Sequence, residues 1–595
     1  MDESLLGDLP PIFPIAVGSD EAAPDLGIAE ASATETGFED APVTVNAQVL
    51  AAGFGGGPVP ADAILLTEGG AEVSRQRLTL ADGQPQAVRF EIAPEKPGLS
   101  FYTLRLAHAE PGTVDAAPQN DARVIAVRRG AGPYRLLYVG GRPNWEFKFL
   151  RRALAEDDQL GLVGLIRMAD REPKFEWLGR KGERSNPLFR GFGQDPDDGD
   201  GFDKPVLVRL GVRGETELRD GFPKTEEELF GYHALILDAV EAPFFTVDQM
   251  EMIDRFVARR GGGFLMLGGG GAFWEGGYAR TPIEPILPIY LQKLDRPTGE
   301  IRLDLTREGM LQPWARLRDT EAAERERLAA MPPFEVANAA RAVKPGAAIL
   351  ATASGDGGAR QPALAAHRYG DGRAAALLIG DLWRWGFQDP EQRPDFEKAW
   401  RQLARWLVAD VPDRVSVEVA PAEGGAPGAM AIRATVRDEK YAPDPAARVA
   451  LEFTASTGES IAMEAEPVPG EPGVFASAYL PPGGEIGWYR VAAAASDAGG
   501  NALGEATSGW ASNPGADEFR HLTPNRALLD LIAEKTGERL RPLGDLAAIA
   551  EDLPDLEVPI KEARAVSLWH LPYVFLAALA CLLGEWAIRR RFGGR

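Results

Sequence analysis

The stretch Tyr134–Leu154 reads YRLLYVGGRPNWEFKFLRRAL. Its first residues form an apolar run of strand length that stops at Gly140-Gly141. Beyond that turn Trp145, Phe149, Leu150 and Leu154 recur at helical spacing, so the stretch predicts a buried strand followed by an amphipathic helix. LGLVGLIRMA, residues 160–169, then returns as a second strand. The unit is β-α-β, which makes its two strands parallel.

Working toward the C-terminus, the same pattern repeats. HALILDAV (233–240) predicts a strand, TVDQMEMIDRFVARRGG (246–262) a helix, and FLMLGGGGAF (264–273) a strand running into a glycine turn. GRAAALLIGDLWRWGF (372–387) predicts a strand, and EKAWRQLARWLVAD (397–410) a closing helix. Strands alternating with helices predict a mostly parallel sheet covered on both faces, over residues 131–411.

On both sides of this region the period falls to two. VTVNAQVLAAGF, AEVSRQRLTL and ARVIAVRRG lie before it, and VSVEVAP, MAIRATVRD, ARVALEFTAST and GWYRVAAAASDAGG after it. Each run is bounded by Gly, Pro or Asp, which predicts immunoglobulin-like β-sandwiches over 29–130 and 412–514. Residues 1–28, rich in proline and acid, predict an extended lead-in. Residues 515–566 predict a short helical segment.

The last hydrophobic stretch, LWHLPYVFLAALACLLGEWAI (568–588), is long enough for a bilayer core, which takes about 20 helical residues. Trp569, Tyr573 and Trp586 fall where aromatic rings favour the headgroup layer. Arg589, Arg590, Arg591 and Arg595 follow, against Lys561 and Arg564 before the span. This predicts a single transmembrane helix at 567–589, a cytoplasmic basic tail at 590–595, and soluble domains on the periplasmic side. The opening MDESLLGDLPPIFPIAVG has neither the basic nor the apolar region of a signal peptide. The topology therefore expects a further span upstream of Met1 or a tail anchor.

Composition narrows the chemistry. A balance of 64 basic to 88 acidic residues, net −24, excludes a broad nucleic-acid-binding face. The single cysteine, Cys581, lies inside the predicted span. The rest of the chain can hold no disulfide, no cysteine zinc cluster and no cysteine nucleophile.

Three blocks, YVGGRPNWEFKFLRRAL (138–154), GGGFLMLGGGGAFWEGGYARTPIEPILPI (261–289) and YGDGRAAALLIGDLWRWGF (369–387), resemble a family of bacterial membrane proteins with a class I glutamine amidotransferase-like domain. The resemblance runs from about Leu5 to the C-terminus. It implies a flavodoxin-like, class I glutamine amidotransferase-like α/β domain between the two sandwiches, and a cell-envelope location. It also implies partners among von Willebrand factor A-type membrane proteins and MoxR-type ATPases. Enzymes of the amidotransferase class place a cysteine on a sharp strand-to-helix turn, activated by histidine. Here the corresponding turn is Gly268 to Gly271, and His367 is followed by Arg368 and Tyr369. The scaffold is therefore expected without its catalytic group, since fold does not carry activity.

In such a sheet, ligands collect at the carboxyl ends of the strands. That selects Arg142, Trp145, Gly269, Gly270, Trp274, Trp383 and Arg384 as candidate ligand-binding residues, with no catalytic residue and no cofactor. Alternation along a strand would aim Trp383 and Trp385 to one face and Arg384 to the other. Arg142 is a candidate for a ligand contact, for capping or for an ion pair with Asp238. The glycine run has neither the Lys-Ser/Thr of a P-loop nor a dinucleotide fingerprint. It reads as a tight turn or as an anion-binding turn. Asp195, Asp197, Asp198 and Asp200 alternate in part like calcium ligands, but Phe202 breaks the series. The function expected is a non-catalytic scaffold. The alternatives are an amidohydrolase with a replaced nucleophile and a module that binds sugar or peptide near Trp274 and Trp383.

Overall fold

The computed structural model describes residues 12–18, 23–34, 43–92, 94, 98–109, 115–130, 132–169, 206–424, 426, 428–482, 486–514, 519, 522–546 and 571–593. The chain divides into two compact units, residues 21–522 and residues 1–20 with 523–595.

Within the larger unit, the first seven long strands make two antiparallel sheets. Asp25–Thr34, Val43–Ala52 and Gln86–Ile92 form one; Glu72–Ala81, Pro58–Thr67, Gly98–His108 and Ala122–Arg129 form the other. Alternate residues such as Val45, Val49, Leu65, Phe90 and Leu104 are buried between them, a β-sandwich core.

Next comes a nine-stranded sheet. Its order is Val206–Leu210, Leu160–Ala169, Tyr134–Gly140, Ala234–Asp238, Gly263–Leu267, Gly372–Leu377, Arg360–Tyr369, Ala348–Ser354 and Arg302–Leu305. Both faces are covered. The Trp145–Leu154 and Arg393–Val408 helices pack Phe149, Leu150, Trp400 and Leu407 against one, and the Val247–Ala258 helix packs Ile253 and Phe256 against the other.

The third β region is one continuous seven-stranded antiparallel sheet that curls until Val415–Pro421 lies beside Ala502–Ser512. The corner is the Ser460–Pro467 strand. Most of it pairs with Arg448–Ala455, and its last two residues, Glu466 and Pro467, pair with Val474–Tyr479.

These arrangements correct the expected class of two immunoglobulin-like sandwiches flanking a flavodoxin-like, amidotransferase-like α/β domain. The described residues are predominantly β, with 40% strand against 21% helix. In the nine-stranded sheet four strands, Val206–Leu210, Arg302–Leu305, Ala348–Ser354 and Arg360–Tyr369, run antiparallel to their neighbours. The link from Gly263–Leu267 to its parallel neighbour Gly372–Leu377 is thus no single crossover helix but an excursion containing three of these strands. The physical reason is a tight reversal. Tyr369 pairs with Gly372, and Gly370 between them takes a positive φ of 58°. Likewise the region after residue 412 is a single curled sheet, because one strand bends to serve both halves.

Arg260 joins two of these regions. Its guanidinium is buried, donating to the carbonyl oxygens of Phe230 at 3.0 Å and Pro412 at 2.6 Å, with Tyr441 of the curled sheet 3.8 Å away face-on. Burial pushes its pKa down to about 10, still well above neutrality.

In the smaller unit, Ile15–Ala16 pairs in parallel with Arg541–Pro542, and Asn525 caps the Arg526–Lys535 helix. One described helix, Pro572–Phe592, is long and apolar enough to cross a membrane, with 21 residues and mean hydropathy 1.3. At 1.5 Å per residue it spans about 31 Å. Proline sits in its first turn, and Arg589, Arg590 and Arg591 in its last, where cations complement the helix dipole. Tyr573 and Trp586 are exposed on it, and Arg590 lies over the Trp586 ring. Trp569, Lys561, Arg564 and Arg595 lie outside the described residues, as do Asp195, Asp197, Asp198 and Asp200.

Replacing Arg260 by leucine removes both hydrogen bonds and strands two carbonyls. The expected cost is on the order of 2–4 kcal/mol, read as a lower melting temperature by differential scanning calorimetry. An unchanged melting profile would show that this joint contributes nothing.

Candidate functional site

Parallel strands put their carboxyl ends on one edge of a sheet. Here that edge gathers the turns at Gly140–Asn144, Asp238–Glu241, Gly268–Trp274 and Gly380–Asp381. The turns are packed at backbone distance. A Cβ on Gly141 would come 1.8 Å from the Ala239 oxygen, and one on Gly271 would come 2.7 Å from the same atom. Ala239 itself holds a positive φ of 49°, a conformation that costs a non-glycine residue about 1–2 kcal/mol.

Below these turns lies a buried polar knot. Asp238 is 3% exposed and accepts from the Tyr138 hydroxyl and from the Asn144 amide at 2.6 Å. Asn144 Oδ1 accepts from the Phe147 amide at 3.0 Å and so caps the Trp145–Leu154 helix. Burial holds the Asp238 carboxyl above its usual range, opposed by these two hydrogen bonds. Burial, and then the Asp238 charge, push the Tyr138 hydroxyl well up. Glu146 sits in the same interior. Its Oε1 accepts from the Trp383 amide at 2.8 Å, while Oε2 has no partner among the described residues. Burial first, then repulsion from Asp238, raise its pKa to about 8.

Above the knot opens a cleft of about 320 Å³, lined by Gly141, Arg142, Arg167, Met168, Ala239, Glu241, Gly270 and Gly271. Arg167 is engaged, with Nη2 2.7 Å from Glu241 Oε2 and Nε donating to the Gly141 oxygen at 2.9 Å. The glycine turn is clamped from below. The buried Asn338 accepts from the Gly269 amide at 2.7 Å and donates to the Gly269 oxygen at 3.1 Å and to Glu275 Oε2 at 3.0 Å.

The sequence-selected residues separate into three places. Arg142 and Gly270 line the cleft, whereas Gly269 is taken up by Asn338. Arg142 makes no ion pair with Asp238, which takes Tyr138 and Asn144 instead. Trp145 and Trp383 meet away from the cleft lining, with ring centroids 6.0 Å apart and Phe387 within 6 Å of both. Trp274 is partly exposed, and Arg384 pairs with Glu335 at 2.8 Å.

The expected alternation of Trp383, Arg384 and Trp385 is corrected. These residues form the Trp383–Gln388 helix, not a strand. On a helix, residues two apart point to nearly opposite sides. Trp385 is accordingly buried against Phe396, and Trp383 turns toward Trp145. His367 is not among the cleft residues, and its Nε2 bonds to the Ile286 oxygen at 2.7 Å.

Sequence reasoning missed Arg167, Glu146, Tyr138 and Asn338. Arg167 carried the one usable signal, a charge near the end of an otherwise apolar strand.

No family model matches this chain, and no curated protein does. Among solved structures, it is similar to cytoplasmic protein STM1381 from Salmonella typhimurium LT2, at 18% identity, covering 46% of this chain and 99% of that one with a TM-score of 0.27. The CARDB domain of the PF1109 protein from Pyrococcus furiosus, in complex with di-metal ions, matches at 16% identity over 19% of this chain and 98% of its own, TM-score 0.17. Exo-beta-1,4-mannosidase Op5Man5 from Opitutaceae bacterium strain TAV5 matches at 13% identity over 46% of this chain, TM-score 0.24, and this chain spans 36% of its length. At these scores the likenesses carry no functional argument.

Glu146 gives the fold a pH signature. The folded chain keeps its proton up to about pH 8, whereas the ordinary carboxyl value is 4.5. The stabilisation is fully present below pH 4.5 and falls as pH rises to 8, by at most about 1.4 kcal/mol per unit. Asp25 and Asp121, raised to about 6 and about 7, add to the same trend. Glu146→Gln is expected to flatten the fall of melting temperature between pH 5 and 8. Parallel curves for parent and variant would refute the assignment.

Proposed function

We propose that this chain is a membrane-tethered, non-catalytic interaction protein of the bacterial cell envelope. The observation that carries the reading is the lining of the strand-end cleft. Its residues include no serine, threonine, cysteine or histidine, and its one carboxylate, Glu241, is paired with Arg167. Two arginines, a carboxylate, Met168, Ala239 and glycine backbone remain, a lining that supports a binding role. The Pro572–Phe592 helix supplies the tether in this reading, with Arg589 to Arg591 on the cytoplasmic side and the β domains outside. Its partners are other envelope proteins, and the sequence resemblance points to von Willebrand factor A-type proteins and MoxR-type ATPases as the ones to seek.

Extraction of the tagged full chain in mild detergent, followed by mass spectrometry, tests this. The expected result is stoichiometric retention of a von Willebrand factor A-type protein, together with recovery of the chain in the membrane fraction after carbonate washing. Recovery of the chain alone, or release of ammonia from amide substrates by the purified protein, would overturn it. A reporter fused after Arg595 is expected to be active only in its cytoplasmic form.

A further inference from the structure

The cleft has donors that its own surroundings leave unused. Arg167 is neutralised by Glu241. Arg142 is exposed at the cleft and forms no ion pair with any described residue, its charge acting only at longer range on the buried Asp238. The backbone adds two further donors. The Gly269 amide is bound to Asn338, and the Ala272 amide reaches back to the Gly269 oxygen at 3.4 Å. The amides of Gly270 and Gly271 between them have no acceptor among the described residues. Gly271 is buried, and a buried N–H without an acceptor is costly unless water or a ligand supplies one. Because Asn338 holds this turn with two hydrogen bonds, the amides are fixed in advance of any ligand.

Successive free amides on the same lining as a guanidinium are the donor set that an oxyanion takes. The charge balance selects which oxyanion. One free positive charge matches a monoanion. A phosphate dianion would bring excess negative charge next to Glu241 and above the Asp238 knot.

We propose that this cleft binds a carboxylate, with Arg142 as its charge partner and the Gly270 and Gly271 amides as its hydrogen-bond donors. This rests on the non-catalytic binding reading above and names the chemistry that the site accepts. The carboxylate belongs to a small organic acid or to the C-terminus of a peptide.

Isothermal titration of the full chain in detergent tests it, with propionate, acetyl-trialanine, acetyl-trialanine amide and inorganic phosphate as probes. At least one of the two carboxylates is expected to bind, and which one does distinguishes the two sources. The amide and phosphate are expected to bind at least tenfold more weakly. Arg142→Gln is expected to weaken the carboxylate at least tenfold, and Arg142→Lys less. Gly270→Ala offers a second arm. Its added Cβ meets no atom within 4 Å, so the variant is expected to melt like the parent, yet to lose affinity because the methyl group occupies the cleft. Equal binding of acid and amide, tighter binding of phosphate, or unchanged affinity in Arg142→Gln would each overturn the assignment. A chain that binds neither acid yet still retains its envelope partner overturns the cleft alone. A chain that binds the acid and retains no partner upholds the cleft and removes the scaffold reading.

Discussion

A carboxylate shut inside a protein must find donors or keep its proton, and Asp238 answers to that constraint at the end of a central strand. The Tyr138 hydroxyl comes from the neighbouring strand and the Asn144 amide from the loop that follows it. Asn144 has a second duty as helix cap, so a single buried group fixes a strand end, a loop and the start of a helix. Arg142 stands in that loop. Its position at the cleft is inherited from the knot beneath it, since it forms no ion pair with a described residue.

The same edge shows how little room the backbone leaves. Gly141 and Gly271 approach Ala239 from two sides, and Gly268 lies against Leu378, each at distances no side chain would permit. Three turns from three strands therefore pack as bare backbone. Such packing leaves backbone amides, rather than Cβ-bearing side chains, along this part of the edge.

Much of this was legible where local pattern and contact coincide. The Tyr134–Gly140 strand and the Trp145–Leu154 helix follow from residues within one β-α unit, whereas the cap is Asn144 and not Arg142, the residue the sequence offered for capping. Legibility failed where a short turn or a distant partner decided the outcome. The Gly370 reversal hid an antiparallel hairpin inside what read as a single approach to a strand, and with it the mixed character of the sheet. Trp383 to Trp385 satisfied strand alternation, but their side chains are separated by helical rotation. Asn338 carries no local signal at all, because the turn it clamps lies 69 residues away along the chain. Arg167 sits in a run that advertises only a buried strand, and its partner Glu241 is 74 residues distant.

Arg260 has a mechanical consequence. Its guanidinium touches the carbonyl of Phe230 in the nine-stranded region, the carbonyl of Pro412 in the connecting chain and the ring of Tyr441 in the curled sheet. Held at the Pro412 carbonyl by a cation that also binds Phe230 and faces Tyr441, the connecting chain is fastened along its length as well as at its ends.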